Sequence, residues 1–90
     1  MNKVYILFNS WHCDGDSDSG IVAVYDSFEK AKAEMTKCVQ DIIENDSMFV
    51  DGKPDDGVVV VDGEDEWTAY RDGDYLLDSC EYRITEEFVR

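Results

Sequence analysis

Three aspartates at alternate positions, Asp14, Asp16 and Asp18, are the first residues in this chain whose type and spacing suggest chemistry. Alternate carboxylates in a loop can converge on a hard cation, as in the first half of an EF-hand calcium loop. The pattern then fails. The sixth position of such a loop needs glycine and here is Ser19; the twelfth needs a bidentate glutamate and here is Tyr25. The run that follows reads as a strand where the motif needs a helix. The expectation is a solvated acidic hairpin loop, with no calcium needed for folding.

His12, Cys13, Cys38 and Cys80 would make up a four-ligand zinc set by residue type, but their spacing holds no CxxC and no HxxxH. Cys38 falls on the apolar side of a helical pattern and Cys80 on the inward side of a strand, where free cysteine packs as a small hydrophobe. A His12–Cys13 nucleophile pair is opposed by strand geometry, because adjacent residues point to opposite faces. No glycine-rich phosphate loop, GxSxG or HExxH occurs. With one histidine, catalysis would rest on carboxylates alone, and these are too numerous for any pair to stand out. The expectation is a non-enzyme without cofactor or metal.

The charge is the anomaly. Twenty-two acids oppose eight bases, for a net charge of -14 in 90 residues. Residues 1–44 contribute -4 and residues 45–90 contribute -10. Such an excess repels itself and is relieved by salt or a cationic partner. It opposes direct binding to nucleic acid or anionic lipid, which carry the same sign. The acids concentrate in turns: Asp14, Asp16 and Asp18; Asp62, Glu64, Asp65 and Glu66; Asp72 and Asp74. Trp67 and Tyr70 share a hairpin with the second group and are residue types that anchor interfaces. Trp11 and Trp67 can equally close the sheet ends against a helix. The partner-binding candidates are Glu64, Asp65, Glu66, Trp67, Tyr70, Asp72, Asp74, Asp14, Asp16 and Asp18, facing a basic surface of another protein. Same-face acids on a strand recur every second residue at ~3.3 Å rise per residue, close enough to the ~3.4 Å phosphate repeat to line a groove built for nucleic acid. The alternative is an accessory or scaffold domain whose acidity serves solubility only.

One domain over 1–90 must position these residues. Lys3 to Asn9 reads as a strand, and Ile21 to Tyr25 as a second, antiparallel to it. Asp26 or Ser27 caps a helix over 27–45 whose apolar side is Phe28, Ala31, Met35, Cys38, Val39 and Ile42. Met48 to Val50 reads as a short docking segment and Asp51 to Gly57 as a loop. Val58 to Val61, Glu66 to Arg71 and Cys80 to Ile84 are further strands, with Tyr75 to Leu77 an apolar step before the last. The order predicts an α+β fold: an antiparallel sheet of four to five strands with one long helix on one face, the first and last strands being candidate neighbours. The inward strand positions are read as Val4, Ile6, Phe8, Val22, Val24, Val59, Val61, Tyr82 and Ile84. The N-terminal apolar run is too short for a signal sequence or a membrane span. Three cysteines, an odd count, fit reduced thiols in the cytoplasm.

Two resemblances follow from these residues. Lys3-Val4-Tyr5-Ile6-Leu7, a polar loop, and then Gly20 to Ala31 with its Tyr25-Asp26-Ser27 helix start resemble small bacterial and phage domains to which no activity is attached. The hairpin over Val58–Asp74 looks like an addition to that pattern. In size, acidity and lack of catalytic motifs the chain is similar in kind to phage-encoded inhibitors of the DNA-mimic and anti-CRISPR type. That similarity implies an inhibitor occupying a nucleic-acid-binding protein.

Overall fold

A computed structural model describes residues 2–13, 15–71 and 78–89. Its strands and helix are β1 (Asn2–Cys13), β2 (Asp16–Tyr25), α1 (Phe28–Asn45), β3 (Phe49–Val50), β4 (Lys53–Pro54), β5 (Val58–Asp62), β6 (Glu66–Arg71) and β7 (Asp78–Val89). The fold is α+β. Five antiparallel strands in the order β2-β1-β7-β6-β5 form one sheet, α1 packs on one of its faces, and β3 and β4 make a small second sheet.

The helix starts where its cap dictates. Ser27 is extended, and its Oγ accepts a hydrogen bond from the Lys30 N–H at 3.2 Å. Asp26 takes the other role, pairing with Lys30 Nζ at 2.9 Å. At the far end the Asp46 N–H donates to the Ile42 carbonyl, and the Asp46 carboxylate accepts from the Met48 N–H at 2.9 Å. That turn drives Met48 into the interior, where it is 1 % exposed. The segment read as a loop after it is a miniature hairpin. Asp51 and Gly52 both take positive φ, as a type I′ turn requires, and bring β3 against β4.

Two apolar clusters form between α1 and the sheet. Leu7, Ala31, Met35 and Ile84 make one; Met48, Trp67, Ala69 and Cys80 make the other. Val39 and Tyr82 touch both. The helix positions expected inward, and Tyr82 and Ile84, face the core side as expected. The strand parity of the rest is corrected. Val4, Ile6, Phe8, Val24, Val59 and Val61 lie on the sheet face away from the helix, while Tyr5, Leu7, Val58 and Val60 face it. Val22 joins the outer set through a β-bulge, at which Ile21 and Val22 together oppose Phe8. The reason is that Val4 to Phe8 and Val58 to Val61 are apolar without alternation, so neither run contains its own parity. Pairing with β7 decides it: Leu7 lies opposite Ile84, and Trp67 opposite Tyr82.

The first hairpin is also longer than its apolar runs. Ser10 pairs with Ser19, Trp11 with Asp18 and Cys13 with Asp16, so the expected acidic loop is mostly strand. β2 is an edge strand, and charges, glycine and a bulge are tolerated there because they discourage pairing with another chain.

Candidate functional site

The turn between β5 and β6 is held against the helix and the last strand. Lys32 Nζ donates to the Gly63 carbonyl at 3.2 Å, and the Ile84 N–H donates to the Asp65 carbonyl at 2.7 Å. These bonds fix Glu64 and Asp65 beside Glu86 of β7. Between them lies a shallow depression lined by Tyr5, Phe28, Glu64, Asp65 and Glu86. Its floor is an edge-to-face aromatic pair, Tyr5 and Phe28, with ring centroids 6.0 Å apart at 73°. Glu86 also pairs with Lys3 Nζ at 3.4 Å, both side chains being about half exposed. Such a surface pair contributes little and exchanges readily, ~0–1 kcal/mol. Carboxylates beside aromatic rings can hold an ammonium or guanidinium group, the acids by charge and the rings by their quadrupole.

The sequence-predicted set does not gather on one surface. Glu64 and Asp65 are in the depression. Glu66 lies opposite Arg83 and Tyr70 opposite Ser79, so both stand on the face away from the helix. Trp67 is corrected: at 3 % exposure it is core, stacked on Phe49 at 6.1 Å, and cannot anchor a partner from the surface. Asp16 and Asp18 are exposed at the opposite end of the sheet, level with Cys13 and Trp11. Asp14, Asp72 and Asp74 lie outside the described residues, as does the Tyr75–Leu77 step. Tyr5, Phe28 and Glu86 were missed. Nothing in the local sequence marks them, because they come from three elements that meet only when β1 pairs with β7 and α1 starts above them.

Two of the three cysteines are held protonated by burial. Burial raises the Cys80 thiol to about 11, and Asn9 Nδ2 lies 3.9 Å from its sulfur. Burial, then the Glu34 carboxylate, also raises Cys38, and burial above all raises the Tyr82 hydroxyl. Thiols held protonated are poor nucleophiles and poor metal ligands. All three cysteines are free. The β1–β7 register sets His12 beside Ser79, a neighbour the sequence conceals. Ser79 is 3 % exposed and its Oγ has no hydrogen-bond partner among the described residues, so this pair lacks the contact that activates a serine. Among the described residues no group of three or more His, Cys, Asp or Glu is placed to hold a metal ion.

A second cleft opens at the other end, where Trp11, Asn9 and Cys13 of β1 face Ile42, Asp46 and Met48. Trp11 is 37 % exposed there, so it walls the cleft and does not seal it. Among the described residues no helix is long and apolar enough to cross a membrane. Comparison with protein-family models, with curated proteins and with solved structures finds no match to this chain.

Proposed function

We propose that this chain is a non-catalytic cytoplasmic binding domain that engages a basic surface of another protein. The observation that carries the reading is the depression in which Glu64, Asp65 and Glu86 surround the Tyr5–Phe28 pair. A lysine or arginine side chain entering it meets carboxylates on its charged end and rings along its stem. The net charge of -14 supports the same partner by long-range attraction. The most specific form of the reading is an inhibitor that presents acids where a nucleic-acid-binding protein expects phosphates, in the manner of the phage-encoded proteins it resembles in composition. Free cysteines accord with a reducing compartment.

The test is titration of an arginine-rich peptide of about twelve residues into the protein, followed by calorimetry and by amide shifts. Binding should perturb Tyr5, Phe28 and the β5–β6 turn. The combined Glu64→Gln, Asp65→Asn, Glu86→Gln variant should weaken it by about tenfold or more. A control neutralising Glu29, Glu34, Asp41 and Glu44 on α1 should weaken it less. Equal losses in both variants would leave acidity as a solubilising property and favour the scaffold alternative.

A further inference from the structure

Among the described residues the main sheet ends at β2 on one side and at β5 on the other. The two edges differ. β2 is guarded by its bulge and by Asp16, Asp18 and Gly20. β5 pairs with β6 without a bulge, and Val58 to Val61 holds no charge, glycine or proline. The turn sets the hydrogen-bonding parity of β5. The Gly63 N–H donates to the Glu66 carbonyl at 2.8 Å, so Val61 and Val59, at two-residue steps from it, direct their backbone groups to β6. Val58, Val60 and Asp62 point theirs away from the sheet. The Val58 N–H bears out this direction by donating to the Asp55 carbonyl at 3.0 Å. The N–H and C=O groups of Val60 and Asp62 have no hydrogen-bond partner among the described residues. Beside them, between α1 and β5, lies a groove lined by Lys32, Met35, Thr36, Val39, Asp62 and Trp67. Met35 and Trp67 are buried and form its apolar floor.

We infer that β5 is a docking edge for an extended segment of another protein, apolar at its centre and carrying lysine or arginine at both ends, which joins the sheet as a further strand. The backbone selects an extended ligand. Free donors and acceptors at two-residue spacing are satisfied by another strand, whereas a helix bonds its own backbone and would leave them unmade. In antiparallel pairing one ligand residue exchanges two bonds with Val60, and a second, two places along, exchanges two with Asp62. Both ligand side chains then stand on the helix side, as Val60 does. The one opposite Asp62 faces the groove, whose floor shelters an apolar group. Charge selects the ends. Asp56 is exposed ahead of Val58, and Asp62, Glu64 and Asp65 are exposed after Val61. Two nearby bases are already engaged, Lys32 by the Gly63 carbonyl and Arg71 by Asp55 and Asp78. Acids thus bracket an uncharged run, and its complement is basic, apolar, basic. The same acids disfavour a second copy. Pairing two β5 edges antiparallel about Val60 would set Glu64 of each level with Asp56 of the other, between molecules of charge -14.

The edge rests on the reading of a basic protein partner, but it binds through backbone on a surface other than the depression, so either site can fail without the other. The probe is a synthetic peptide of about nine residues, valine and threonine alternating between paired arginines. It is titrated into the full chain and followed by amide shifts and amide hydrogen exchange. Val58 to Asp62 should shift, and the Val60 and Asp62 N–H groups, unbonded in the free protein, should exchange about tenfold or more slower in the complex. Methylating the peptide's alternate backbone nitrogens that face β5 keeps its charge and side chains and should weaken binding about tenfold or more. Glutamates in place of the arginines should weaken it at least as much. Asp62→Pro removes an outward N–H at an exposed edge position, where proline is tolerated, and circular dichroism would verify the fold. It should weaken the peptide about tenfold, against about twofold for Asp62→Asn. The shifts of Tyr5 and Phe28 with the arginine-rich peptide should be the same in Asp62→Pro as in the parent. The methylated peptide decides the matter even if the proline variant unfolds. Equal binding by the methylated peptide, or by the glutamate peptide, overturns the inference. So does binding without slowed exchange at Val60 and Asp62, or a free chain in which a second copy already protects both.

Discussion

Truncating Leu7 tests the strand parity on which every surface described above depends. Leu7 and Ile6 are isomers, adjacent on a central strand, and they face opposite ways. Leu7 is 0 % exposed and packs with Ala31, Met35 and Ile84 beneath α1. Ile6 stands on the outer face, opposite Val24 and Thr85. Leu→Ala in a closed core costs ~2.7–5 kcal/mol, the spread reflecting how far the site collapses. Here the neighbour best able to move inward is Met35, whose unbranched side chain fills gaps. The cost should therefore sit near the lower end, about 3 kcal/mol. Against a total stability of ~5–15 kcal/mol and a shift of ~4–8 °C per kcal/mol for a domain of this size, Tm should fall by about 12–24 °C. Ile6→Ala leaves a side chain that water already reaches in part and should cost about 1 kcal/mol. The assay is thermal and urea unfolding by circular dichroism. Equal losses for the two variants, or a larger one for Ile6, would refute the assignment of faces.

Two further outcomes follow from local geometry. Ser27→Ala removes the side-chain acceptor of the Lys30 N–H at the start of α1 and should cost about 1 kcal/mol in urea unfolding, while Ser27→Gly should cost a few tenths. At alkaline pH stability should fall. Cys80 binds its proton more tightly in the folded state, about 11 against an ordinary 9.0, so its contribution is intact below pH 9 and lost as pH rises toward 11. The loss should be on the order of 1–3 kcal/mol, and burial of Tyr82 shifts that hydroxyl in the same direction. Cys80→Ala should flatten the part between pH 9 and 11 while lowering stability at neutral pH; an unchanged slope would show that Cys80 does not carry it.

The helix, the five strands of the main sheet and their order were legible in the sequence because each rests on local chemistry, whereas the small β3–β4 hairpin was not. Ser27 ahead of an apolar helical period defines α1. Gly-Asp turns punctuate the strands, and alternation in Cys80 to Ile84 declares which side of β7 is inward. The excess of acid was equally plain and framed the functional reading. What the sequence left open has a common cause. Val4 to Phe8 and Val58 to Val61 are apolar at every position, so their parity exists only relative to a paired strand, and pairing of β1 with β7 joins the two ends of the chain. The same pairing carries Asp16 and Asp18 into a strand and sets His12 beside Ser79. Together with the start of α1, it assembles Tyr5, Phe28 and Glu86 around a turn that sequence reading had already singled out for Glu64 and Asp65. It also separates residues that look like neighbours. Glu66 and Trp67 are adjacent in the chain, yet one is solvated on the outer face and the other is core. Which acids share a surface, and which surface is free of them, are long-range facts; only the folded sheet decides them, because a strand's two faces exchange roles with a shift of one residue in register.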